Sequence, residues 1–176
     1  MVSGFLVVLE PRLSRNTGKL YAGVGRMPTY PSKIRGEERG MDEYVFGRVK
    51  DKDTNLIPSL ETAVGLCKML GRGGRRFEII YCSDTEQQPI LRCELEIGST
   101  EFLGYDVAGI SGDCWSIVDD FSSNDWARPY RQRLNPSGLF LERADAESYL
   151  RDYRAHGEPD ADSAFDVIEV IRVTPR

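Results

Sequence analysis

The sequence predicts an α+β domain: a mainly antiparallel sheet of about seven or eight strands carrying two helices. Three observations lead there. Short runs rich in Val, Ile, Phe and Tyr recur along the chain, some with strict alternation. Turn residues separate several neighbouring runs closely enough for hairpins. Only two segments carry the apolar period of a helix, and they lie far apart, which argues against regular strand–helix alternation.

Residues 5–9 and 20–25 are β-rich and joined through Asn16-Thr17-Gly18, so they read as an opening hairpin. Residues 26–41 hold Pro28, Pro31, Gly36 and Gly40 among charges and read as a loop, and 43–49 as a short strand around Tyr44-Val45-Phe46. Leu60, Ala63, Val64, Cys67 and Leu70 then recur at helical spacing, with Ser59 as N-cap and Gly71 as the stop. Residues 77–82 and 90–97 read as strands; in the second, Leu91, Cys93, Leu95 and Ile97 alternate with Arg92, Glu94 and Glu96. Residues 102–108 and 114–121 form a further predicted hairpin, and 122–138 read as irregular. Ala146, Tyr149, Leu150 and Tyr153 mark a second helix over about 143–156. The last run, 165–173, is apolar on both faces, which places it inside the sheet. The amino-acid order gives no sign of an internal repeat.

A chain of 176 residues, 40% hydrophobic and 29% charged, fits one globular domain spanning 1–176. Its net charge of -5 argues against a dedicated nucleic-acid or anionic-membrane binder, which needs an excess of Lys and Arg. The apolar run at 5–9 is too short for a membrane helix or a secretion signal, so the expected location is the cytoplasm. Cys67, Cys82, Cys93 and Cys114 form no C-x-x-C pair and sit in apolar surroundings; they read as small buried thiols, with a Cys82–Cys93 pairing between strands left open.

Several apparent motifs fail on their own terms. Asp51-Lys52-Asp53-Thr54-Asn55 copies the start of a calcium loop, but Leu56 stands where the turn needs Gly and Thr62 where a bidentate Glu belongs. Gly71-Arg72-Gly73-Gly74-Arg75-Arg76 runs from helix to strand, the reverse of a phosphate loop. Glu94 and Glu96 share a strand face without a Lys or His to complete a metal nuclease site. His156, the single imidazole, stands at a helix end with nothing marking it as a base. No catalytic residue, metal site or cofactor is therefore expected.

The charge distribution is the feature above background. Residues 1–88 carry 14 bases and 11 acids, whereas 89–176 carry 9 bases and 17 acids. Residues 93–127 contain Glu94, Glu96, Glu101, Asp106, Asp113, Asp119, Asp120 and Asp125 with no Lys or Arg, interleaved with Phe102, Tyr105, Trp115, Phe121 and Trp126. Acids attract a basic partner from a distance, and desolvated aromatics hold it. An ordinary sheet with aromatics inside and acids in water would show the same composition.

From Leu103 to about residue 150 the chain resembles the small immunity proteins that accompany bacterial polymorphic and contact-dependent toxins. The likeness rests on Leu103-Gly104-Tyr105-Asp106-Val107, Trp115-Ser116-Ile117, and Leu134-Asn135-Pro136-Ser137-Gly138-Leu139-Phe140, followed by Ala144 and Tyr149-Leu150. It implies an α+β domain without cofactor that binds and blocks a cognate protein toxin, typically a basic one. On this reading Asp106, Asp113, Asp119, Asp120 and Asp125 steer the partner, and Tyr105, Trp115 and Trp126 anchor it. Strand alternation prevents all of these from facing outward. The alternatives are a small-ligand module or enzyme with a carboxylate and arginine cleft, and a structural or assembly subunit.

Overall fold

A computed structural model describes residues 3–9, 56–70, 77–84, 97–109, 115–118, 125–156 and 165–176. They form an α+β unit: strand β1 (Ser3–Leu9), helix α1 (Leu60–Leu70), strands β2 (Phe77–Ser83), β3 (Ile97–Gly109) and β4 (Trp115–Ser116), a 3-10 turn at Asp125–Ala127, the one-turn helix α2 (Arg128–Arg131), helix α3 (Arg143–Ala155) and strand β5 (Phe165–Pro175). The sheet order is β1-β2-β5-β3-β4, antiparallel throughout.

Among the described residues four long strands and one of two residues make this sheet, and the seven or eight expected are not found there. The predicted strands over 20–25, 43–49 and 90–96, the loop over 26–41 and the Gly71 stop lie outside the described residues. Residues 97 and 102–108, assigned to two strands from the sequence, belong to one. Ser99 and Thr100, between those two runs, pair with Thr174 and Val173 at the end of β5, and Gly98 falls in a register shift between Ile97 and Ser99.

The final strand is internal, as its two apolar faces require: β5 pairs with β2 on one side and β3 on the other. Alternate residues feed different cores. Ile80, Cys82, Ile168 and Val170 join Leu6, Leu56, Leu103, Ala108 and Leu139 on one face. On the other face, Ile79, Tyr81, Ile171 and Val173 pack with α1, while Val107, Phe165 and Val167 pack with α3. At the far end Arg172 ties three strands together, meeting Glu78 at 3.4 Å and Glu101 at 2.5 Å. Burial acts to lower the Arg172 pKa, but the Glu101 hydrogen bond and the field of Glu78 raise it overall.

Both helices form where their periodicity places them. Ser59 caps α1, its Oγ accepting from the Thr62 N–H at 3.2 Å. Helix α3 buries Ala146, Tyr149, Leu150 and Tyr153 on one stripe and ends at His156. The stretch read as irregular holds more order than expected, since Pro129 sits in the first turn of α2, where a missing N–H costs nothing. Of the predicted strand over 114–121, residues 115–118 are described, and Trp115–Ser116 are strand. Its hairpin pairing to β3 is present at Ala108–Ser116 and Gly109–Trp115, but the Ser116 Oγ then accepts from the Val118 N–H at 3.2 Å and turns the chain.

The strand ladder is closed at both sides by the same device. Ile57 exchanges two 2.8 Å backbone hydrogen bonds with Phe5 on β1, and Phe140 exchanges bonds of 2.7 and 2.9 Å with Tyr105 on β3. Each bridging residue is fully buried, and each precedes a helix by three positions. In the second case Asn135 builds the approach. Its Oδ1 accepts from the Ser137 and Leu139 N–H groups, its Nδ2 donates to the Leu103 carbonyl at 2.7 Å, and the Asn135-Pro136-Ser137-Gly138 turn closes at 2.9 Å with Gly138 at φ +79°. The turn read from Asn-Pro-Ser-Gly therefore does seat α3.

Gly104 has φ +141°, and a Cβ there would stand 2.6 Å from the Phe140 carbonyl oxygen and 2.8 Å from the Leu139 Cβ. Gly104→Ala is expected to lower unfolding free energy by about 3 kcal/mol, from strain plus overpacking. At Gly138, where a Cβ meets nothing within 4 Å, Ala costs only about 1 kcal/mol. Urea denaturation of the two variants checks this ordering.

Candidate interaction surface

The β3–β4 hairpin and the helices after it hold the residues expected to meet a partner. Asp106 does not belong among them. It is 0% exposed, on the face of β3 that looks away from the helices. Its Oδ1 accepts from the Ser116 Oγ at 2.5 Å and the Val107 N–H at 2.8 Å. A carboxylate buried in this way ties β4 to β3 and is out of reach of a docking protein. Sequence composition counted it with the acids; strand parity, set by the register shift before Gly104, turns it inward.

Tyr105 is half-buried. Its backbone is committed to Phe140, and its ring meets Phe102 edge-on at 5.2 Å. Asp125 is exposed and paired with Arg128 at 2.9 Å. Next to it, Trp126 lies half-buried over the helix α3 aromatics, 5.4 Å from the Tyr149 ring, and stacks on His156 at 5.0 Å with 12° between planes. Trp126 is thus the outer layer of a core. Trp115 occupies β4 opposite Gly109. Asp113, Asp119 and Asp120 lie outside the described residues, as do Glu94, Glu96, Cys93 and Cys114. The strand neighbours of Cys82 are Gly4 and Val170.

The described acids of the base-free window therefore meet three different surroundings. Glu101 faces Arg172, Asp106 faces Ser116, and Asp125 faces Arg128. Two of the three already hold a guanidinium supplied from outside the window. Exposed ion pairs of this kind are worth little to stability but remain available for exchange with a partner's cations.

Two features were not read from the sequence. Phe102 and Leu141 are the exposed large hydrophobics among the described residues, at 46% and 57%. Phe102 meets the Tyr105 ring, and Leu141 follows Phe140, the residue bridged to Tyr105. The other is a polar knot on α3. The Tyr130 hydroxyl donates to Asp152 Oδ2 at 2.5 Å and lies 2.9 Å from the Ser148 Oγ, with Arg133 over its ring. Ser148 and Asp152 are four apart on a helix, a visible pairing, but nothing in the order of residues points to Tyr130 as their partner.

Burial and the hydrogen bond to Asp152 raise the Tyr130 pKa above its ordinary value. Because the folded protein holds the neutral phenol, this contribution is full below pH 10 and is lost as pH rises through the folded value. Tyr130→Phe is expected to flatten the fall in stability above pH 10, as read by denaturation across pH 8 to 12. Among the described residues no helix is long and apolar enough to cross a membrane. Comparison with protein-family models, curated proteins and solved structures returns no match to this chain.

Proposed function

We propose that the protein is a cytosolic immunity-type inhibitor that binds a cognate, basic protein toxin and performs no reaction itself. The observation that carries this reading is the exposed Phe102, in ring contact with Tyr105, inside a window of 35 residues, 93–127, without Lys or Arg, with a second exposed hydrophobic, Leu141, next to the residue bridged to Tyr105. An apolar centre with an acidic margin suits a partner that arrives by charge and stays by desolvation. The anchors in this reading shift from Trp126, which is engaged with α3, toward Phe102, Tyr105 and Leu141. The acids that set the encounter rate are Asp125, with Asp113, Asp119 and Asp120 retained from the sequence.

The test is binding to the polypeptide encoded beside this one. Phe102→Ala with Leu141→Ala is expected to speed dissociation about tenfold or more with little change in association. Asp125→Lys, or Asp119→Lys with Asp120→Lys, is expected to slow association at low salt, an effect that fades at high salt. Unchanged rates in both sets would overturn the reading.

A further inference from the structure

The pairing numbers contain a symmetry. Six consecutive β1–β2 pairs, from Gly4–Cys82 to Leu9–Phe77, match six β3–β5 pairs, from Gly104–Val170 to Gly109–Phe165. Adding 100 to a β1 number gives its β3 counterpart, and adding 88 to a β2 number gives its β5 counterpart. The seam between the halves obeys the same rule. Cys82 pairs with Val170, its own counterpart. Tyr81 pairs with Ile171, and their counterparts Glu169 and Ser83 also pair. Such a seam is what a twofold axis passing between Cys82 and Val170 produces.

The correspondence continues off the sheet at a constant offset of 83. Leu56 and Leu139 enter the shared core; Ile57 and Phe140 make the bridges; Ala63 and Ala146 are the fully buried small residues of α1 and α3; Leu66 and Tyr149 lie beside them. Even the close approach is repeated, since a Cβ on Gly4 would come within 2.7 Å of the Leu56 Cβ, as one on Gly104 would come within 2.8 Å of the Leu139 Cβ. Traces survive in the residues: Gly4-Phe5 against Gly104-Tyr105, and Phe77-Glu78-Ile79-Ile80 against Phe165-Asp166-Val167-Ile168. Geometry alone explains a shared register. It does not require the same glycine before the same aromatic position, or the same Phe-acid-branched-Ile opening to both inner strands.

We infer that the protein is a fused pseudo-dimer: two copies of one strand–bridge–helix–strand unit, residues 4–82 and 104–170, that build a single sheet across a twofold seam. The copies differ in polarity at matched positions. Leu6 corresponds to Asp106, Gly65 to Ser148 and Met69 to Asp152. The first copy keeps the apolar form, and the second carries the added polar groups and the exposed Leu141, with the exposed Phe102 just ahead of it. Placing partner binding on the second copy rests on the inhibitor reading; the duplication does not.

The experiment exchanges equivalent segments within the full chain. Residues 139–153 replace 56–70, which are equal in number, and a control replaces 56–70 with 140–154, one position out of phase. The matched graft is expected to keep a single cooperative thermal transition, lowered on the order of 10 °C by overpacking from the tyrosines. The shifted graft is expected to lose it, because the bridging residue is turned to the other face and the apolar stripe of the helix is rotated by about 100°. The reciprocal graft, 56–70 placed over 139–153, replaces large by small and guards against failure by crowding alone. Loss of the transition in both matched grafts, or its retention in the shifted one, overturns the duplication. Binding of the neighbouring polypeptide, measured on the folded first graft, is expected to equal that of the parent. A folded graft and a parent that both fail to bind would overturn the inhibitor reading and leave the duplication standing.

Discussion

Burial of β5 on both faces and along both edges is the constraint on which everything else rests. Its residues from Phe165 to Val173 cannot be satisfied by one layer of packing, so the chain supplies two helices on one face and the Leu56, Leu103 and Leu139 side chains on the other. A single fully buried aliphatic or aromatic side chain contributes about 1.5–3 kcal/mol. Ile168, Val170 and Phe165 together therefore outweigh any one hydrogen bond or ion pair in the molecule. The Asp106 carboxylate enters this core with a partner, the Ser116 hydroxyl.

Closing the edges is the complementary problem. An open strand edge invites pairing with other chains. Single-residue bridges at Ile57 and Phe140 occupy one point on β1 and one on β3 and bring the following helix over the sheet in the same movement. Asn135 shows how much preparation one bridge needs: a side-chain amide that organises its own turn and reaches back to the Leu103 carbonyl. On a short loop this is efficient, since Pro136 and Gly138 have already narrowed the conformations to be fixed.

What was legible in the sequence was periodic or local. The helical spacing of Leu60, Ala63 and Cys67, the Ser59 cap, the Asn135 turn and the doubly apolar final strand each declare themselves within a dozen residues, and each is found. What was not legible depends on register. Asp106 is charged, so composition places it in water, whereas the ladder places it beneath Ser116. Trp126 reads as an anchor for a partner until α3 comes beneath it. The pseudo-twofold relation escaped because its connecting segments differ in length, and because helix and strand counterparts carry different offsets, so that no single shift aligns the halves. Hydrophobic identity also drifts freely among Leu, Ile, Phe and Tyr when only burial is selected.

The extra residue at Leu103 reverses the phase of residues 99–102 in β3, up to the second shift between Ile97 and Ser99. Phe102 falls opposite Ile171 and Glu101 opposite Arg172, whereas an uninterrupted ladder would have set Phe102 against the guanidinium and Glu101 against Val173. One inserted residue thus decides which side of the strand is greasy and which is ionic over residues 99–102. Drawing Leu103 into the ladder, with no residue gained or lost, would turn that stretch of β3 inside out.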